Sequence, residues 1–172
     1  MPNVISLITI IGLFLTFWTL KANHDWNRRH YATNLIAEWN SKTFSHRKAI
    51  ETMRPGLVDL DKNGDPVEIT KRDATAIYLS NSTQNVELCE LRFHFIELLN
   101  YFESISVAYR SGVGDQQIIE ESVRSALIRW NDILVNFIQV VNEHRGYEPW
   151  EPYTTLVNYW KHKPFKPRKK TG

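Results

Sequence analysis

Residues 4–20 read VISLITIIGLFLTFWTL, and no charged side chain occurs between Pro2 and Leu20. A helix needs about 20 apolar residues to cross the roughly 30 Å hydrocarbon core of a bilayer. Its backbone groups bond within the helix, so none of them faces lipid unpaired. Residues 1–21 are therefore predicted to form a single transmembrane anchor, from which the rest of the fold extends.

A cleaved signal peptide is the alternative to an anchor. Signal peptides carry a basic segment before the apolar run and small residues at the cleavage site. Here Met-Pro-Asn precedes the run and Leu20-Lys21-Ala22 follows it, so both features are missing. The basic residues Lys21, Arg28 and Arg29 follow the run, and the positive-inside rule then predicts a cytoplasmic C-terminal part.

One face of the predicted anchor is small and polar, whereas large apolar side chains cover the opposite side. Its members are Thr9, Gly12, Thr16, Thr19 and Asn23. Gly12 and Thr16 form a small-xxx-small pair, which lets transmembrane helices approach closely. The face predicts a homo-oligomer, either a dry helix bundle or a ring whose polar stripe lines a water-filled pore. The alternative is that each threonine bonds only within its own helix.

The polar stripe continues past the membrane at coiled-coil spacing. Its further members are Asn27, His30 and Asn34. Asparagine at such positions fixes the register and number of associating helices. A hydrated vestibule and a solvated helix face are the alternatives. Residues 22–53 are therefore predicted to form a helical stalk next to the membrane.

The rest of the chain has helical apolar spacing almost throughout. The first helix is predicted to run to about Asn40, and Ser41 to cap a second one that ends at Met53 before Pro55-Gly56. Further helices are predicted over 67–79, 84–110, from Asp115 past 141, and 153–160. Gly112-Val113-Gly114 makes the two longest an antiparallel hairpin. The predicted fold is all-α: a transmembrane helix, a stalk, and a small cytoplasmic helical bundle over 54–160.

The last segment, residues 161–172, differs in composition from the rest. It holds six of the 21 Lys and Arg residues and no acid, so that removing its charges from the net +2 leaves −4 for the remainder. The basic residues are Lys161, Lys163, Lys166, Arg168, Lys169 and Lys170. A disordered tail is predicted, and contact with anionic lipid or with nucleic acid is the functional alternative.

No motif for catalysis, a metal or a cofactor is found. The six histidines are scattered, and the single cysteine, Cys89, excludes an internal disulfide and fits a reducing compartment. Asp59 to Asp65 matches the first half of an EF-hand loop, but Thr70 stands where the bidentate Glu is required. The chain is therefore predicted not to be an enzyme and to carry no metal or cofactor.

A structural polar pair is predicted across the helical hairpin. Asn100 and Glu103 share one edge of the longest soluble helix, and Arg129 lies on the next helix. An ion pair that joins the two helices explains these residues better than a paired-carboxylate active site.

Three groups of residues resemble a known family. They are Trp39-Asn40-Ser41 with Phe44 and Arg47, Leu99-Asn100-Tyr101-Phe102-Glu103 followed by Arg110, Gly112 and Asp115, and Arg129-Trp130. Together they resemble the uncharacterised bacterial domain of unknown function 4760. The resemblance covers nearly the whole chain and implies a membrane helix with a small helical domain, without catalytic residues.

Proteins of this shape resemble the effectors of bacterial antiphage systems, which oligomerise and permeabilise the inner membrane when a nucleotide signal changes. The resemblance implies an oligomeric membrane effector or ion channel that responds to a nucleotide or nucleic-acid signal. The alternative is a membrane-tethered scaffold or adaptor that recruits a cytoplasmic protein partner and conducts nothing.

Overall fold

The computed structural model describes residues 2–57, 67–81, 83 and 85–164, with side chains described from Thr9 onward. Over these ranges the chain forms five helices and no strand. They are α1 (Pro2–Met53), α2 (Lys71–Leu79), α3 (Val86–Ser111), α4 (Gln116–Arg145) and α5 (Glu151–His162). The predicted all-α fold is thereby confirmed for the described residues. The EF-hand-like segment 59–65 and the tail from residue 165 onward lie outside them.

Helix α1 is one continuous helix, so the prediction of a break at Ser41 is wrong. The Ser41 hydroxyl donates to the carbonyls of Ala37 and Glu38, each at 3.2 Å, and thus bonds to the preceding turn instead of capping a new helix. The helix ends where predicted. Pro55 follows it, and Gly56 adopts a φ of 85°, which side-chain-bearing residues rarely adopt.

The second half of α1 belongs to the core of the domain. One of its faces is buried, through Ala32, Trp39, Thr43 and Ile50. The Trp39 ring packs against Phe102 of α3 with 5.2 Å between ring centroids, and the Tyr101 hydroxyl donates to the Leu35 carbonyl at 2.8 Å. Residues 22–53, predicted as a stalk, therefore enter the core from Ala32 onward.

Helices α3 and α4 form the predicted antiparallel hairpin. Near the turn the Tyr109 hydroxyl donates to Glu120 at 3.2 Å, and far from it Phe95 and Phe137 pack with 5.2 Å between centroids. The turn has the predicted chemistry. Gly112 ends α3 with a left-handed φ of 70°, and the Asp115 carboxylate accepts from the first free N–H groups of α4.

The two short helices close the core from either side. Helix α2 begins at Lys71 and not at Val67, because the Thr70 hydroxyl accepts from the Asp73 N–H at 3.1 Å and thereby caps it. Helix α5 begins before Tyr153, with Pro152 inside its first turn, where a missing N–H has no cost. The buried Tyr153 hydroxyl then donates to the Leu127 carbonyl of α4 at 2.8 Å.

The hairpin turn packs directly against α1. The Asp115 N–H donates to the Arg28 carbonyl at 3.1 Å. A Cβ atom at Gly114 would lie 2.7 Å from Cδ1 of buried Ile119 and 3.5 Å from the Tyr31 ring. A side chain at Gly114 would therefore displace the end of the buried Ile119 side chain.

We expect Gly114→Val to lower the melting temperature by several degrees, because overpacking a filled site costs about 1–3 kcal/mol. Thermal denaturation followed by circular dichroism measures the change. Val113→Ala, at a half-exposed side chain of the same turn, is the control and should melt like the wild type. Equal melting of all three proteins would contradict the close approach.

Candidate functional site: the protruding segment of α1

The first part of α1 projects from the domain. Every side chain from Thr9 to His24 is exposed, and we call residues 9–24 the protruding segment. Its eight large apolar side chains between Ile10 and Leu20 have exposed fractions of 51–67%. A contiguous apolar surface of this kind marks a site of interaction with a membrane or with protein.

Within the described part of the chain, no helix has the length and apolar character needed to cross a membrane. The predicted anchor, residues 1–21, includes residues 1–8, whose side chains lie outside the described residues. The transmembrane anchor therefore stays a prediction.

The predicted interface residues lie along one helix and are all exposed. They are Thr9, Gly12, Thr16, Thr19, Asn23, Asn27, His30 and Asn34. Thr16 donates to the Gly12 carbonyl and Thr19 to the Leu15 carbonyl, each at 2.8 Å. Within one chain these two threonines thus bond to their own helix. Each hydroxyl oxygen retains lone pairs with which it can accept a bond from a neighbouring helix.

No contact within the described part of its own chain requires glycine at position 12. A Cβ atom built there would meet no heavy atom within 4 Å, and its φ is not positive. Glycine inside a helix costs about 1 kcal/mol relative to alanine. A close contact with another helix would explain a glycine at this position.

The C-terminal end of the polar stripe bonds within α1. Asn34 Nδ2 lies 3.1 Å from His30 Nε2, and the His30 ring stacks on Trp26 with 5.0 Å between centroids. These contacts hold His30 on the surface of its own helix. Contacts within α1 alone are therefore sufficient to order the polar side chains at this point.

The predicted polar pair does not form among the described residues. Asn100 Oδ1 instead accepts from Trp150 Nε1 at 3.0 Å, which ties α3 to the start of α5. Glu103 and Arg129 belong to none of the ion pairs found in the described ranges. Burial, and next the charge of Glu151, raise the pKa of Glu103. Arg129 lies across the fold, facing α1.

A different carboxylate joins the hairpin to α5. Glu120 contacts Arg124 at 2.8 Å and Lys163 at 3.1 Å, and the Arg124 guanidinium also donates to the carbonyls of Trp160 and Lys163. Sequence spacing alone shows only the Glu120–Arg124 pair, which lies four residues apart on one helix. The contacts with the end of α5 depend on the tertiary fold.

The basic tail begins with lysines that already have acidic partners. Lys161 pairs with Asp132, and Lys163 pairs with Glu120. Of the six predicted lipid or nucleic-acid contacts, these two therefore bind α4. The other four, Lys166, Arg168, Lys169 and Lys170, lie outside the described residues.

Two histidines that are 48 residues apart meet between α1 and α3. His46 Nδ1 and His94 Nδ1 are 2.8 Å apart, so one ring donates and the other accepts. Burial, and next the charge of His46, lower the pKa of His94, whereas Glu90 partly opposes them. No group of three or more metal-binding side chains exists in the described part of the chain. The pair joins α1 to α3, and the folded state disfavours the charged form of His94.

We expect the His94 pair to make stability depend on pH. Because the folded state lowers the pKa of His94 below its usual 6.5, the unfolded chain takes up this proton first as pH falls. The stabilisation is complete above pH 6.5 and is lost below it. Wild type should therefore lose more melting temperature between pH 7.5 and 5.5 than His94→Gln does.

Thermal denaturation across this pH range measures the effect. His162→Gln, which removes an exposed histidine of α5, is the control and should keep the wild-type slope. An identical slope for wild type and His94→Gln would show that this pair does not contribute.

A comparison with known protein families finds one family that matches most of the chain. A sequence model described as Domain of unknown function (DUF4760) matches residues 6–160. The chain belongs to this family. The resemblance predicted from the three groups of residues is thereby confirmed. No curated protein and no solved structure matches the chain at a significant level.

The DUF4760 match covers two parts of the molecule that have different surfaces. It contains the entire protruding segment and all helices of the domain up to Trp160, and it ends before the basic tail. The protruding segment is therefore part of the family unit and not an addition to it.

Proposed function

We propose that the protein is a self-associating, single-pass protein of the bacterial inner membrane, with its helical domain in the cytoplasm. The protruding segment supports this proposal most strongly. Burying apolar surface is worth about 25 cal/mol per Å², and eight large apolar side chains project together from this helix. Lipid around the helix, and further copies along its small face, would remove that surface from water.

The charges next to the protruding segment favour the cytoplasmic orientation. Lys21, Arg28 and Arg29 follow the apolar run, and no basic residue precedes it. Cations next to one end of a membrane span favour the cytoplasmic side for that end and for the domain attached to it. The self-association face is the one that contains Gly12, for which the chain itself gives no structural reason.

Within this frame we propose an oligomeric membrane effector or ion channel of bacterial antiphage defence, which responds to a nucleotide or nucleic-acid signal. The continuity of α1 supports the coupling that such an effector needs. The 52 residues of α1 form one helix from the protruding segment into the core. A change in packing around Trp39 would therefore reach the protruding segment through hydrogen-bonded helix, without an intervening hinge.

A membrane-tethered scaffold or adaptor is the second candidate. Exposed aromatic side chains on the domain favour it, since they offer contacts to a protein partner. Phe44, Phe93 and Tyr147 are each more than half exposed. A scaffold would bind its partner through the domain and conduct no ions. We assign no catalytic residues under either proposal.

We expect Gly12→Ile to reduce the oligomer, because a branched side chain on the small face would separate neighbouring helices. Size-exclusion chromatography with light scattering, in a mild detergent, measures the size. Phe14→Ile is the matched control, because residue 14 projects about 200° away from Gly12 around the helix. If wild type and Gly12→Ile are both monomeric, the self-association proposal is wrong.

We expect the double variant Thr16→Leu and Thr19→Leu to abolish ion flux while it preserves the oligomer. Leucine keeps helix propensity and would dewet a polar pore. Flux through reconstituted vesicles is measured alongside oligomer size. Unchanged flux in the variant would contradict a pore lined by these threonines. An absence of flux from the wild type, with and without added nucleotides, would favour the scaffold.

A further inference from the structure

A cleft of about 650 Å³ lies between α1 and α4, on the domain and away from the protruding segment. Arg47 and Lys48 line it from α1, and Arg129 lines it from α4. Glu51 is the one carboxylate among its described lining residues, so the charged side chains give a net charge of +2. We call it the α1–α4 cleft. Its volume is that of a small-molecule site, roughly 300–1,000 Å³.

The three cations of the cleft differ from most others in the domain. Arg54, Arg110 and Arg124 each have a carboxylate oxygen within 3.5 Å. Arg47, Lys48 and Arg129 form no ion pair with any described residue. The cleft therefore concentrates positive charge that the described residues leave without a counter-ion.

The two arginines are also held partly away from water. The Nε atoms of Arg47 and Arg129 are buried and have no hydrogen-bond partner in the described chain. The Arg47 guanidinium carbon lies 4.8 Å from the centre of the Trp39 ring, and burial lowers the pKa of Arg47. Partly desolvated cations without partners are unfavourable. An anion bound in the cleft would supply the negative charge that these cations lack.

The aromatic lining narrows the class of anion. Phe44 is 59% exposed at the cleft, beside Lys48 on the same helix. An exposed ring next to cations suits a ligand with a flat aromatic part and a phosphate part, because bases stack on aromatic side chains with little regard to sequence. The Glu51 carboxylate can accept hydrogen bonds from the hydroxyl groups of a sugar or the amino group of a base.

We propose that the α1–α4 cleft binds a nucleotide, with its phosphates against Arg47, Lys48 and Arg129 and its base on Phe44. This inference rests on the proposed function, because it gives the signal that the effector responds to a site on the domain. A lipid headgroup has the same phosphate chemistry. However, Arg47 lies 27 residues after Leu20, which is about 40 Å along the helix. This distance separates the cleft from lipid around the protruding segment and therefore favours a nucleotide.

A ligand in this cleft would contact α1 and the hairpin at the same time. Arg47 and Lys48 belong to the helix that carries the protruding segment, whereas Arg129 belongs to the hairpin. A ligand shifts a conformational equilibrium only by its difference in affinity for the two states. A nucleotide that bridges α1 and α4 favours the state in which these helices are closest.

The test uses the full chain in detergent micelles and isothermal titration calorimetry. The probes are the four ribonucleoside triphosphates, pyrophosphate and adenosine. We expect at least one triphosphate to bind ten times more tightly than pyrophosphate or adenosine. We expect Arg129→Gln and Lys48→Gln to weaken its binding at least tenfold. Phe44→Leu should weaken nucleotide binding and leave pyrophosphate binding unchanged.

Arg72→Gln is the matched control, because Arg72 is an exposed arginine of α2 that does not line the cleft, and it should bind like wild type. Lys48 is exposed, so Lys48→Gln keeps the test valid if Arg129→Gln does not fold. The proposal is overturned if no triphosphate binds below 1 mM, or if Arg129→Gln and Lys48→Gln both bind it as tightly as wild type does.

Two further measurements distinguish nucleotide binding in the cleft from lipid binding there and from the proposed self-association. Binding to phosphatidylglycerol vesicles that is lost in Lys48→Gln, without nucleotide binding, would assign the cleft to lipid and overturn the proposal. Oligomer size is measured on the same samples. An intact oligomer that binds no nucleotide overturns this inference alone, whereas a monomeric wild type overturns the proposed self-association.

Discussion

Helix α1 is one continuous, hydrogen-bonded helix whose two parts have different surroundings. Its first part is exposed on every side, and its second part buries one face against α3 and α4. The contacts of Trp39 with Phe102 and of Tyr101 with the Leu35 carbonyl fix the second part in the core. The direction in which the apolar segment leaves the domain depends on this attachment.

Local chemistry made the ends of several helices predictable. Pro55-Gly56, Gly112 and Asp115 act through backbone conformations and caps that involve only their neighbours in sequence. Ser41 has the same capping chemistry but lies inside a helix, since packing on both sides of it stabilises the helix more than a cap could. Thr70 shows the reverse: a cap that apolar spacing alone overlooked.

Charged contacts between helices were less predictable than helix ends. The sequence showed that Arg129 shares the hairpin with Glu103, but its rotation about α4 directs it to the cleft. The His46–His94 pair and the contacts of Glu120 with Lys163 join residues more than 40 positions apart. Such contacts depend on the relative rotation and offset of packed helices, which the period of each helix leaves undetermined.

The contact between the hairpin turn and α1 has a mechanical consequence. Asp115 holds the Arg28 carbonyl through its N–H, and its carboxylate lies 3.7 Å from the Arg29 guanidinium. The helix continues for about 40 Å beyond this contact, to Pro2. A change of helix direction at this contact therefore moves the far end of the helix by a larger distance. A tilt of about 5° at this contact displaces the far end of the helix by about 3–4 Å, roughly a third of the diameter of a helix with its side chains. A small tilt where the hairpin turn contacts α1 is thereby amplified at the far end of the protruding segment.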